Sequence, residues 1–540
     1  MTESRPDYRS FSDGFDPAIL VDELDGDLVT GLNACVECCD RHVGEHRVAL
    51  TWADASGARA TFTFDDLQAR SAQVANLLVE HGVEPGDRVS GLLPRVPELV
   101  ALILGTWRAG AVYQPLFTAF GSKAIEQRLA TSQAKVVVTD AANRSKLDGL
   151  ADPPAILCID GGENGGDDAD FTASVDARSS SFEPVLRTGD DAFLMMSTSG
   201  TTGLPKGLKV PLRALPGFAA YMRYGLDVRP DDVFWNIADP GWAYGLYYAV
   251  AGPLLIGHQT TLFDGPFTVE STAALVEELG ISNFAGAPTA YRMIIAAGVD
   301  AAKPFAEHLR VASSAGEPLN PEVMRWFGEH VGCDLFDQYG QTECGMVLAN
   351  HHGLRHEVRP GSAGFAMPGF RLEVVDESGV PQPPGTHGVL AVHRPDSPLF
   401  FFDGYLGAEG EGWIGDYYLT GDTVEQHDDG SISFVGRSDD VISSAGYRIG
   451  PFDVESCLLE HDAVAESAVV GKPDEERGEI VKAFVVLHPG SVGDDTLASE
   501  LTRHVRERLG KHAFPREVTF VESLPKTPSG KIQRFVLRDD

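Results

Sequence analysis

Cysteine is scarce, with 7 in 540 residues, and its placement has none of the paired spacing that staples a small secreted fold. A disulfide framework is excluded and a reducing compartment is expected. Basic charge is also short: 43 Lys+Arg stand against 79 Asp+Glu, a net charge of −36. Such a surface repels phosphate backbones and anionic lipids, which argues against general nucleic-acid binding. Long apolar runs are missing too. The most hydrophobic stretch, from Glu98 to Trp107, is stopped by Arg108 and is too short to span a bilayer, so it reads as a core helix and no membrane insertion is expected. The first residues, Met1-Thr2-Glu3-Ser4-Arg5-Pro6-Asp7, lack a basic segment leading into an apolar one, and the protein is expected in the cytoplasm.

What is present suffices for a large core. Hydrophobic residues make up 43% of the chain, enough at this length for more than one domain. Acidic residues occur throughout, as in Asp167-Asp168, Asp428-Asp429 and Asp439-Asp440, and lysine is rarer than arginine. This suits a surface kept soluble in strong salt, where screening removes self-repulsion, with an ordinary acidic cytosolic protein as the alternative. Cys35, Cys38 and Cys39 with His42 fit one helix on which small thiols pack as hydrophobes. No second ligand pair follows to complete a metal site.

Along the chain, apolar positions recur at helical spacing between Thr63 and His81. Glu84-Pro85-Gly86-Asp87 then turns into an apolar strand from Arg88 to Leu93. The same order returns at Ala124 to Thr139 and at Ala273 to Phe284, which predicts a largely parallel α/β body. The Gly/Asp-rich stretch from Gly161 to Asp168 reads as a solvated loop. Beyond Gly436 the pattern becomes helix, strand, strand, helix. We therefore expect a large N-terminal α/β region over residues 1–436 and a smaller α+β domain over residues 437–540.

The most informative segment is Ser197-Thr198-Ser199-Gly200-Thr201-Thr202-Gly203-Leu204-Pro205-Lys206-Gly207, directly after the apolar strand from Ala192 to Met196. Glycines let the backbone approach a polyanion, hydroxyls donate to it, and a lysine offsets its charge. The lysine is followed by Gly207 rather than Ser or Thr, so this phosphate-gripping loop is not of the Walker type.

The loop resembles the signature of the adenylate-forming superfamily. Four further motifs of that family follow in order: Tyr339-Gly340-Gln341-Thr342-Glu343, Tyr418-Leu419-Thr420-Gly421-Asp422, Gly436-Arg437-Ser438-Asp439-Asp440 and Pro528-Ser529-Gly530-Lys531. Within it, Ala238-Asp239-Pro240-Gly241-Trp242, the stretch from Ala315 to Glu322, Gly446-Tyr447-Arg448-Ile449-Gly450 and the stretch from Arg477 to Phe484 are similar to short- and medium-chain acyl-CoA synthetases.

The resemblance implies an ATP-dependent ligase that joins a carboxylic acid to AMP with loss of pyrophosphate and then passes the acyl group to coenzyme A. It also implies that the smaller domain is a mobile lid. Ser197, Thr198, Ser199, Gly200, Thr201, Thr202, Gly203 and Lys206 would meet the β- and γ-phosphates, and Glu343 would hold Mg²⁺. Asp422 would accept from the ribose hydroxyls. Gly316, Glu317 and Pro318 with Asp337, Gln338, Tyr339, Gly340, Gln341 and Thr342 would wall the adenine and α-phosphate, while Arg437 and Arg448 would donate to the nucleotide. Lys531 would stabilise charge developing at phosphorus, so Lys531, Thr198, Lys206 and Glu343 are the expected catalytic set. Asp439 matches the hinge; Gly446 and Tyr447 would face pantetheine, and Arg477 and Lys511 the coenzyme A phosphates.

For the acid, the resemblance points to Trp242 and Gly340. Acetate-specific relatives carry a tryptophan at the position of Gly340, so room for a longer or branched acyl group is expected there. Two other readings stay open: a stand-alone enzyme loading a separate carrier protein, and a nucleotide-binding regulator without turnover.

Overall fold

A computed structural model describes residues 5–44, 46–161, 168–198, 206–438, 440–444, 447–474, 477–510, 513–526 and 532–538, without the side chains of Tyr447 and Arg448. The loop residues Ser199, Gly200, Thr201, Thr202 and Gly203, together with Asp439, Gly446, Lys511 and Lys531, lie outside these residues.

The helix expected after Thr63 runs Phe64–Glu80. A reciprocal cap holds its start: the Thr63 hydroxyl accepts from the Asp66 N–H while the Asp66 carboxylate accepts from the Thr63 N–H. Its buried face, including Leu67, Val74, Leu77 and Leu78, packs on the helix Pro97–Arg108. Arg108, which ends the apolar run in sequence, is itself buried and pairs with Asp40 and the Ser71 hydroxyl.

Among the described residues the strands form five sheets. The largest has seven strands, with a parallel centre in which Arg88–Leu92 lies between Val112–Pro115 and Val136–Thr139. It ends on the antiparallel pair Ala192–Thr198 and Lys206–Pro211, in which Thr198 stands opposite Lys206. The two flanks of the Ser/Thr/Gly-rich segment are therefore neighbouring strand ends.

A six-stranded sheet carries Phe234–Asn236, Asn283–Gly286, Val311–Ala315 and Asp334–Gln341 in parallel, then turns antiparallel at Gly345–Ala349. The parallel expectation holds for these two sheets. It misses a third, built from Leu372–Val375, His387–His393, Trp413–Ile414, Tyr417–Gln426 and Ile432–Arg437, which is antiparallel throughout. Two of their connections are long loops whose only helix is the short Arg394–Asp396, so no helical pattern intervenes to signal them.

The strand Ile432–Arg437 closes that sheet, and the next, Ile442–Ser444, enters another with Tyr447–Ile449, Val464–Asp474, Gly478–Leu487 and Glu517–Phe520. The helices Pro451–Leu459 and Asp495–Leu509 pack together and share a separate apolar core with this sheet. The thiols of Cys35, Cys38 and Cys39 are buried; Cys38 and Cys39 lie near backbone carbonyls and Cys35 near the Ser71 hydroxyl, so they act as core. No described helix is long and apolar enough to cross a membrane.

Candidate active site

A cavity of about 870 Å³ opens where the two parallel-bearing sheets, the antiparallel sheet and the C-terminal α+β portion converge. That volume lies in the range of small-molecule sites, which favour such junctions. Its walls bring together Ser197, Thr198, Lys206, Trp242, Gly316, Glu317, Pro318, the run from Asp337 to Glu343, Asp422 and Arg437. These positions span more than two hundred residues of sequence, and most of them meet because they lie on or just after strands of three neighbouring sheets.

Asp422 is held most tightly. It lies opposite Arg437 on paired strands, and Arg437 Nη1 donates to its Oδ1 at 3.1 Å. Tyr339 Oη donates to Oδ2 at 2.5 Å, and Gln341 Nε2 to the same oxygen at 2.8 Å. Gly421 before it takes φ 73°, a left-handed turn that a glycine makes without strain. A buried carboxylate with this many donors is a fixed acceptor.

Gly316 also takes a left-handed φ, of 97°, and a Cβ built there would meet no atom within 4 Å. Its backbone is thus open to close approach by a ligand. Asp337 beside it is buried, and burial pushes its carboxyl up to about 8 although the Leu319 and Gln338 N–H groups donate to it. Glu317 pairs with Arg292 at 3.3 Å.

Glu343 is buried, which raises its carboxyl above the usual range, while a 2.7 Å bond from the Tyr405 hydroxyl pulls the other way. Lys206 pairs with Glu411, another residue of the cavity wall. Thr198 and Glu343 supply oxygen donors beside a lysine, the hard set that suits Mg²⁺ and phosphate oxygens.

Trp242 lines the cavity and packs against Phe117 and Phe120, with ring centroids 5.5 and 5.3 Å away. Its buried Nε1 has no partner among the described residues. Gly340 lines the cavity, and the direction a side chain would take from it is filled by the chain itself. A Cβ built there would stand 2.2 Å from the Gly345 carbonyl oxygen and 2.6 Å from Met346 Sδ. The loss of a side chain at 340 is thus matched by Met346 filling in from the next strand.

One expected residue among those described is not gathered here. Arg477 stands at the start of the strand Gly478–Leu487, its N–H bonded to Asp474, and does not line the cavity. Tyr447 and Arg448 pair through their backbone with Ser444 and Ser443. From the C-terminal portion the cavity receives Glu455, Ser456, Lys526 and Arg534 instead. Asn320 Nδ2 donates to the Ser456 carbonyl at 3.3 Å, joining the two parts.

Sequence motifs did not mark Tyr405, Glu411, Arg292, Glu455 or Arg534. Only Arg534 left a trace, as the first of two arginines four apart on an otherwise apolar turn. Elsewhere, Cys457, Glu460 and His504 bring three potential metal ligands together, but Arg508 occupies the Glu460 carboxylate at 3.0 Å.

A family model described as AMP-binding enzyme matches residues 39–406, and one described as AMP-binding enzyme C-terminal domain matches residues 453–531. The chain is 38% identical over 517 residues to the acetyl-coenzyme A synthetase of Bacillus subtilis (strain 168), covering 94% of this chain and 90% of that one. It is 36% identical over 509 residues to the mitochondrial acyl-coenzyme A synthetase ACSM3 of Rattus norvegicus, covering 91% and 86%. Among solved structures, the Brucella canis acyl-CoA synthetase is 57% identical with a TM-score of 0.81, over 99% of this chain and 98% of that chain. The anthranilate CoA ligase AuaEII, solved with anthranoyl-AMP, is 27% identical with a TM-score of 0.85, over 95% and 98%.

Proposed function

The chain belongs to the AMP-binding enzyme family, and on that premise we propose that it is an AMP-forming acyl-CoA synthetase working on a short- to medium-chain carboxylic acid. It uses ATP to make an acyl-adenylate, and the acyl group then passes to coenzyme A. The observation that carries this reading is the convergence of Thr198, Lys206, Glu343, Asp422 and Arg437 on one cavity that also receives the C-terminal portion.

A carboxylate is a weak nucleophile and the triphosphate repels it, so the protein's task is to place both and neutralise charge. Asp422 takes the ribose hydroxyls, held in aim by Tyr339, Gln341 and Arg437. Gly316 lets the backbone close on the nucleotide. Lys206 and Thr198 take the outer phosphates. Glu343, with its carboxylate pinned by Tyr405, would hold Mg²⁺, which when bound offsets triphosphate charge. The acid oxygen forms a bond to the α-phosphorus while the bond to the β-phosphate oxygen breaks, and pyrophosphate leaves.

We assign residues 1–436 to the adenylation region and residues 437–540 to a mobile lid turning about Asp439, with Lys531 stabilising the adenylation transition state. Arg448 would contact the nucleotide. After rotation Gly446, Tyr447, Arg477 and Lys511 would serve coenzyme A. Arg477 lies away from the cavity in the arrangement seen here, which suits a role in the second step. The acidic surface supports a salt-rich cytoplasm as the working medium.

The test is acid-dependent ATP–pyrophosphate exchange and acyl-CoA formation across acetate, propionate, butyrate, octanoate and benzoate, in concentrated KCl and in dilute buffer. Exchange without coenzyme A and thioester with it are expected. Lys531→Ala should lose exchange by at least about 100-fold while still making thioester from supplied acyl-AMP. Absence of exchange with every acid, in protein that binds ATP, would overturn the reading.

A further inference from the structure

Tyr405 belongs to none of the five motifs, yet it touches two of the site's charged residues at once. Its hydroxyl donates to Glu343 Oε1 at 2.7 Å, and Lys206 Nζ lies 5.2 Å from the centroid of its ring. Those two residues stand on different sheets, Lys206 opening a strand of the seven-stranded sheet and Glu343 following the strand Asp334–Gln341 of the six-stranded one.

Backbone bonds hold the tyrosine in place. The Leu406 N–H donates to the Gly207 carbonyl at 2.8 Å, and Tyr405 forms an antiparallel bridge with Leu208. Phe402 packs edge-on against its ring at 5.0 Å. Further along the same segment Glu411 pairs with Lys206. One short stretch of chain is thereby fastened to the strand that leaves the phosphate-gripping loop and also reaches across to Glu343.

We propose that Tyr405 is a positioning residue of the adenylation step, setting the Glu343 carboxylate and the Lys206 ammonium in one fixed relation so that they meet metal-bound triphosphate together. This rests on the adenylation reading above. A hydroxyl on Oε1 fixes the plane of the carboxylate and leaves Oε2 as the remaining acceptor, which is how an outer hydrogen bond orients a metal ligand. The ring face beneath Lys206 restrains a long flexible side chain by attraction to its charge. Both effects act on the β- and γ-phosphates. They should therefore disappear for AMP, and for the second half-reaction started from acyl-AMP.

Two variants separate these effects, with Mn²⁺ as the metal probe read by electron paramagnetic resonance and nucleotide binding read by calorimetry. Y405F keeps the ring and loses the hydroxyl. It should weaken Mn²⁺ binding to the ATP complex by roughly 10-fold and slow adenylation, while AMP affinity and thioester formation from supplied acyl-AMP stay within about two-fold. Y405L should in addition weaken metal-free ATP binding by about 2- to 5-fold. Unchanged Mn²⁺ binding and adenylation in Y405F would overturn the proposal. Equal losses in AMP binding and thioester formation would overturn it too, in favour of a merely structural tyrosine. Were the native protein to show no acid-dependent adenylation, the functional reading would fail while the Mn²⁺ measurement still decided the role of Tyr405.

Discussion

Arg437 and Asp422 face each other across paired strands, with Nη1 of the arginine 3.1 Å from Oδ1 of the carboxylate. Arg437 is the last residue of the antiparallel sheet, so the group that holds the Asp422 carboxylate also stands where the chain leaves for the C-terminal portion. Asp422→Ala removes the acceptor and leaves the donors of Tyr339, Gln341 and Arg437 without it. Calorimetry should show AMP and ATP affinity falling together, by roughly 100-fold, as expected for charge-assisted bonds. Arg437→Ala should cost both nucleotides about 10-fold. A loss confined to ATP would contradict the assignment of Asp422 to the ribose.

Asp337 gives a pH-dependent prediction. Burial lifts its carboxyl to about 8 from an ordinary 3.8. Below pH ~4 both folded and unfolded chains hold the proton. As pH rises further the unfolded chain releases it first, so the stability contributed by the buried acid falls until both states are ionised above pH ~8. Asp337→Asn does not titrate. Its stability relative to the native protein should therefore rise between pH 5 and 8, by on the order of 4 kcal/mol, and level off above. Urea unfolding at a series of pH values checks this, and a flat difference would place the carboxyl in the ordinary range.

Glu455 and Arg534 form a two-pronged pair beside the cavity, Arg534 Nη2 donating to Oε1 and Oε2 at 2.9 and 2.8 Å. Breaking a buried pair from one side leaves the other charge uncompensated. Glu455→Gln should destabilise the C-terminal portion by about 3 kcal/mol. Hydrogen exchange should show the loss in the helices Pro451–Leu459 and Arg534–Arg538 rather than in the sheets of the adenylation region. Uniform loss across the chain would argue against a local role.

Met346 packs behind Gly340 without itself lining the cavity, so its side chain should set how far that wall can yield to a longer acid. Met346→Ala should shift the kcat/KM preference toward longer acids, with octanoate gaining about 10-fold over propionate, the scale of removing a few methylenes from a pocket wall. Competition assays with the acid panel read this directly. An unchanged preference would move the limit to Trp242 and its Phe117 and Phe120 neighbours.

The parallel sheets were legible because period and length agreed: Phe64–Glu80 leading to Arg88–Leu92 repeats in Val269–Leu279 leading to Asn283–Gly286. The antiparallel sheet around Tyr417–Gln426 was not, since its half-buried strands are separated by loops with no long helix to punctuate them. Motif residues such as Asp422 and Glu343, which meet at the cavity, could be singled out because each sits inside an ordered signature. Their partners could not. Tyr405 lies 62 positions from the Glu343 it touches, and Glu411 lies 205 from Lys206, separations at which nothing local marks a contact. What Gly340 meets is equally unmarked, because Met346 comes from the neighbouring antiparallel strand.

The central claim is that the acid attacks the α-phosphorus of ATP and carries the acyl group as an adenylate before thioester formation. A carboxylic acid labelled with ¹⁸O in both oxygens tests it most directly, by mass spectrometry of the products. Attack at the α-phosphorus followed by thiol transfer leaves one labelled oxygen in AMP, and none in pyrophosphate. Label in inorganic phosphate with none in AMP would mean an acyl-phosphate route, and would contradict the account.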